Sequence, residues 1–89
     1  MINEFKELVK PTVENPIRYT ERATRDVRRA HFTEEMLKQV ILNPKKIDKC
    51  GKNIFIVYGE KTAKMKIEIV ENANLLIHWF EYNKVPFFG

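Results

Sequence analysis

The dipeptide Asn43-Pro44 separates two stretches whose apolar residues follow different periods, and a chain built that way has to combine helices with a sheet. Upstream, Ile2, Phe5, Leu8 and Val9, and then Met36, Leu37, Val40 and Ile41, recur at the spacing of amphipathic helices. Pro44 has no amide hydrogen and biases Asn43 away from helical backbone, so the second helix stops there. Downstream the period is two. Residues 46–50, 53–58, 63–70 and 75–82 read as strands, parted by Gly51-Lys52, by residues 59–62 and by residues 71–74. Links that short join antiparallel neighbours. In the third of these strands Met65, Ile67 and Ile69 alternate with Lys64, Lys66 and Glu68, as in a sheet covered on one face and wet on the other. The expected fold is α+β, with N-terminal helices packed on one face of a four-stranded antiparallel sheet.

A chain of 89 residues supports one core, so it reads as a single domain: an N-terminal helix within 1–11, an α+β core over 17–83 and an apolar tail over 84–89. Pro11 ends the first helix, and residues 17–20 enter the core as an extended segment. Thr20 is placed to cap a helix over 21–31, with His31 at its C-terminal end. Thr33, followed by Glu34 and Glu35, starts the next helix. In the last strand Leu75, Ile77 and Trp79 face one way and Leu76, His78, Phe80 and Tyr82 the other, so both sides are largely apolar. That predicts a central strand or one lying against a partner. The tail Val85-Pro86-Phe87-Phe88-Gly89 is expected to dock on its own domain or, with the last strand, in a homodimer.

All five arginines, Arg18, Arg22, Arg25, Arg28 and Arg29, fall within twelve consecutive residues, while the eleven lysines are spread over the rest. At about 100° per residue the last four cover roughly a third of a helix, opposite Ala23, Val27 and Ala30. A guanidinium presents a planar fork that grips phosphate or carboxylate through paired hydrogen bonds, so this local choice of Arg suggests an oxyanion partner. The competing reading is a solvated face in which Glu21 pairs with Arg25 and Arg22 with Asp26, each pair worth about 0.3–0.5 kcal/mol. A net charge of +4 favours a polyanionic partner. One cysteine and two histidines do not supply the four soft ligands of a zinc site, and no metal or cofactor is expected. Glu4, Lys6 and Glu7 interrupt the first apolar stretch, and no run approaches about twenty apolar residues. The expectation is a cytoplasmic protein without a membrane partner.

The order of elements resembles the small RelE-like and BrnT-like toxin superfamily and its DUF4258 relatives, over about residues 17–83. In DUF4258 proteins the first helix opens with His-Ala, carries an Arg-hydrophobic pair one turn on and a further Arg, and is followed by a hydrophobic residue and a Ser or Thr that starts the second helix. Ala23, Val27, Phe32, Thr33, Glu34, Glu35 and Asn43-Pro44 stand where that pattern wants them. Arg22 stands at the place of the His, Asp26 at that of the first Arg and Ala30 at that of the second. The resemblance implies a RelE-like fold, an RNA-cleaving toxin or a relative of one, and an antitoxin-like protein partner.

Metal-independent RNA cleavage needs a base for the 2′-OH proton, an acid for the leaving oxygen and fixed cations for the phosphorane. His78 is the first acid/base candidate because its ordinary pKa lies near neutrality, Glu68 is a second base, and Tyr82 or Tyr58 is a proton donor. Lys64, Lys66 and Arg18, Arg22, Arg25, Arg28 and Arg29 are the candidate phosphate ligands. Trp79 and Phe80 are candidates for base stacking, although aromatics in the last strand of a small domain are more often core. The alternative is a non-enzymatic interaction module that uses the arginine helix and the aromatic last strand.

Overall fold

A computed structural model of the chain describes residues 2–60 and 62–82. Its elements run α1 (Ile2–Val9), β1 (Arg18–Tyr19), α2 (Glu21–Ala30), α3 (Glu34–Leu42), β2 (Lys46–Gly51), β3 (Ile54–Tyr58), β4 (Lys64–Val70) and β5 (Asn74–Glu81). Short 3-10 turns at Lys10–Thr12 and Glu71–Ala73 complete it. The apolar tail Val85 to Gly89 lies outside the described residues.

Local chemistry fixes the helix ends. The Thr20 hydroxyl accepts from the Ala23 amide at 3.0 Å, and Thr33 does the same for Met36 at 3.1 Å. α2 closes in a Schellman arrangement: the His31 amide donates to Arg28 O and the Phe32 amide to Val27 O, with His31 in the left-handed region at φ 59°. α3 ends at Asn43, ahead of the buried Pro44. Its inward face is narrower than the spacing suggests. Leu37 and Ile41 are fully buried, but Met36 is 42 % exposed and its sulfur instead accepts from the Thr33 amide at 3.5 Å. On α1, likewise, Phe5 and Val9 are buried while Leu8 is exposed.

The sheet has five strands in the order β1-β5-β4-β3-β2. β2 to β5 form the expected antiparallel meander. The expectation of four strands, all antiparallel, is corrected by β1, which pairs parallel to β5 through Arg18 with Leu76 and Tyr19 with Ile77. A strand of two residues has no period, and its pairing depends on where the rest of the chain folds. β5 is therefore central, and beyond β1 its edge stays occupied: Thr20 donates to His78 O at 2.7 Å, and the Phe80 amide donates to Asp26 at 3.2 Å. At the far edge β2 carries Lys46 and Lys49 and an irregular step between Lys49 and Gly51, features that discourage edge-to-edge pairing.

The phase of β5 also needs correction. Lys66 pairs with Trp79, but Ile67 pairs with Ile77, so His78 is an extra residue in a β-bulge. The bulge swaps the two faces downstream of it. Leu75, Ile77 and Phe80, each at most 2 % exposed, all point into the core, and Trp79 points away from it. The two-sided apolarity read from strict alternation comes from this inserted residue. Phe5, Val9, Ala23, Val27, Leu37 and Ile41 of the three helices join Ile47, Phe55, Val57, Met65, Ile67, Leu75, Ile77 and Phe80 of the sheet in one cluster, with the Phe5 and Phe55 rings edge-on at 5.1 Å. The helices thus lie on one face of the sheet, as expected.

Candidate functional site

The arginines of α2 spread around its exposed surface. Arg22 lies 3.7 Å from Asp26, the i,i+4 pair anticipated from spacing. Arg18, Arg25, Arg28 and Arg29 make no ion pair among the described residues, so the self-paired reading of the arginine face holds for Arg22 alone. Arg22 and Arg29, two turns apart, line a cleft of about 380 Å³ between α2 and the end of β5, together with Asp26, Ala30, Phe80, Glu81 and Tyr82. Tyr82 is held there by an edge-on contact with Phe32, whose ring also packs on Phe80 at 4.7 Å. Arg28 points to another depression, of about 230 Å³, with Tyr19, Thr24, Val27 and Phe32.

By spacing alone Asp26 is a partner for Arg22 and a departure from the DUF4258 pattern. Its carboxylate instead joins helix to sheet by accepting from the Phe80 amide, which β1 is too short to reach. Glu34 has a similar linking role. It accepts from the Ile17 amide at 3.2 Å and the Tyr19 hydroxyl at 3.3 Å, and it lies 3.6 Å from Lys38. Burial, and then the neighbouring Glu34 carboxylate, push the Tyr19 phenol from its ordinary 10.0 up to about 12.

The opposite face of the sheet carries a second group of candidate residues. His78 Nε2 and Glu68 Oε1 are 2.8 Å apart on it. Lys64 lies 5.8 Å from the Tyr58 ring centroid and 5.7 Å from that of Trp79, and Lys46 lies 5.1 Å from Tyr58. The Tyr58 hydroxyl donates to Asp48 at 3.0 Å, and that hydrogen bond, more than burial, raises its pKa. Lys66 sits between Ile56 and Trp79 on the neighbouring strands, and Arg18 beside Leu76 at the β1 edge.

The structure therefore brings Arg22, Arg29 and Tyr82 into one cleft and gathers His78, Glu68, Lys64, Lys66 and Arg18 on the other side of the sheet. Of the candidates for proton transfer, His78, Glu68 and Tyr58 lie on that second face and Tyr82 in the cleft, and the arginine helix and the Lys64/Lys66 face do not converge on one cleft. Sequence reasoning missed the exposure of Trp79. The signal was the pair His78-Trp79, which interrupts the alternation between Ile77 and Phe80. Among the described residues no group of three or more His, Cys, Asp or Glu is arranged to hold a metal ion, and no helix is long and apolar enough to cross a membrane. No known family model, curated protein or solved structure matches the chain.

Proposed function

We propose that this chain is an RNA-binding domain in which the arginine face of α2 grips backbone phosphates. The observation that carries the reading is the concentration of guanidinium groups without carboxylate partners: Arg25, Arg28 and Arg29 share one helix, and none is in an ion pair among the described residues. An unpaired surface guanidinium keeps its bidentate fork free for phosphate, and each such contact releases counterions. A RelE-like or BrnT-like relationship remains part of this proposal. In its support, the three positions at which that family's polar constellation is expected, Arg22, Asp26 and Ala30, all line the cleft that also contains Tyr82.

The cleft favours a second, narrower reading, a metal-independent ribonuclease toxin. Arg22 and Arg29 would steady the phosphorane, the Asp26 carboxylate of the same cleft would take the 2′-OH proton, and the Tyr82 hydroxyl would give one to the leaving oxygen. An antitoxin-like protein and a second copy of the chain remain proposed partners in either case.

Binding is tested by the anisotropy of labelled RNA over a range of salt concentrations. Affinity is expected to fall steeply with salt, and Arg25→Ala and Arg29→Ala are each expected to flatten the log–log slope by about one unit or less. No binding at low salt, or binding indifferent to salt, would overturn the RNA reading and favour an acidic protein partner for the same arginines.

A further inference from the structure

The sheet face turned away from the helices has more charge than its apolar content suggests, but most of that charge is already committed. Asp48 accepts from Tyr58 and lies 3.9 Å from Lys46, Glu68 is bound to His78, and Glu81 lies 3.9 Å from Lys64. Every acid on the strand rows around Trp79 thus has a partner on the same face. Lys66 and Arg18 have none among the described residues. The charge left over is positive and lies to both sides of a partly exposed indole: Lys66 is the cross-strand neighbour of Trp79 on β4, and Arg18 lies across β5 beside Leu76, three residues along the strand. Two strand spacings sideways and that offset along β5 put the two cations roughly 13 Å apart, a span that takes in more than one nucleotide of an extended single strand.

We propose that this face takes an unpaired base of single-stranded RNA on the Trp79 ring, with Lys66 on an adjacent phosphate and Arg18 on one further along the strand. The proposal rests on the RNA reading above and deepens it by specifying the form of the nucleic acid. A duplex keeps its bases stacked on one another and offers only its backbone, which the arginine helix can grip. Only an unpaired base can lie flat on an indole, and every base has a face to offer, so the contact selects strandedness rather than sequence. The bulge at His78 is what makes this possible. Strict alternation would turn Trp79 into the core and leave Phe80 outside, out of line with Lys66.

Trp79 is the single tryptophan of the chain, so its fluorescence reports on this face alone. The experiment titrates the full chain with labelled unstructured oligouridine and with a labelled blunt-ended RNA duplex, following label anisotropy and tryptophan emission together. Oligouridine is expected to quench Trp79 saturably, in step with anisotropy, and the duplex to bind without quenching. Trp79→Leu is expected to weaken oligouridine binding roughly 5- to 150-fold, the scale of one lost stacking contact, and to spare duplex binding. Trp79→Phe keeps a ring, is expected to retain most of the affinity, and serves as the comparison should the leucine variant fail to fold. Lys66→Gln is expected to flatten the salt slope for oligouridine only. A rise in anisotropy without any change in Trp79 emission would overturn the proposal and leave the RNA reading standing. Absence of binding to either RNA would overturn both. Emission that shifts on dilution of the protein alone would assign the face to a second copy and overturn it as well.

Discussion

The Asp26 carboxylate accepts from the Phe80 amide at 3.2 Å and lies 3.7 Å from Arg22, and two substitutions separate those contacts. Asp26→Ala removes the acceptor and leaves the amide unsatisfied, an expected loss of about 1–3 kcal/mol. Asp26→Asn keeps an oxygen for Phe80 and loses only the charge. It should melt closer to wild type, and in the RNA reading it should bind more tightly at low salt because Arg22 is freed. Equal melting of the two variants would show that the link to Phe80 contributes little. Tyr19 provides a prediction in pH. Its folded-state pKa is raised from 10.0 to about 12, so folding favours the neutral phenol. The contribution is complete below pH 10 and is lost as pH rises through the window between those two values. Tyr19→Phe cannot ionise, so its stability should fall less steeply than wild type across that window. Parallel curves in alkaline denaturation would remove the assignment.

Between Arg28 and Phe32, α2 turns through a left-handed residue that carries a Cβ. Replacing His31 by glycine relieves that strain, although glycine is also freer in the unfolded chain. The net expectation is a gain of about 0.5–1 kcal/mol and a melting point a few degrees higher; an unchanged or lower one would show that the imidazole contributes to the helix end. On β4 the two faces are a residue apart. Ile67 is fully buried, and Ile67→Asp is expected to unfold the domain, whereas Lys66→Asp should stay within about 0.5 kcal/mol of wild type. Thermal melts decide this, and similar losses from both would refute the strand's orientation. Elements of this kind were legible because their causes are local. Thr20 and Thr33 cap the helices that follow them, Asn43-Pro44 stops α3, and the alternation of Met65 and Ile67 with Lys64 and Lys66 assigns both faces of β4. What was not legible depends on distant parts of the chain. The pairing of Arg18 and Tyr19 with β5 is set by where β5 lies, and the bulge at His78 is a property of the β4–β5 ladder. One inserted residue moved Trp79 out of the core and Phe80 into it. Met36 fits the apolar spacing of α3, but the inward stripe is filled by Leu37 and Ile41.

At the scale of the whole molecule, the sheet separates two surfaces that can each meet an anion. On the helix side stand Arg22, Arg29 and Tyr82; on the other, Lys66, Trp79 and the His78–Glu68 pair. A general acid or base has to come within about 2.6–3.2 Å of the proton it moves. A group on one side of the sheet therefore cannot serve a phosphate held on the other. The arginine cleft contains one proton donor from the candidate set, Tyr82, so any cleavage centred on that cleft should fall about a hundredfold or more in Tyr82→Phe and be unchanged in His78→Ala. It should also survive EDTA. Loss of cleavage in His78→Ala with full activity in Tyr82→Phe would move the chemistry to the Trp79 face and leave the arginines as a distant anchor. Intact RNA in the presence of saturating, salt-sensitive protein would remove the ribonuclease reading and keep the binding one, because the arginine face requires nothing from Tyr82. Arg22 and Arg29 make the two outcomes separable. Substituting either weakens binding in both cases, but it lowers turnover at saturating RNA only if the phosphate they hold is the one that reacts.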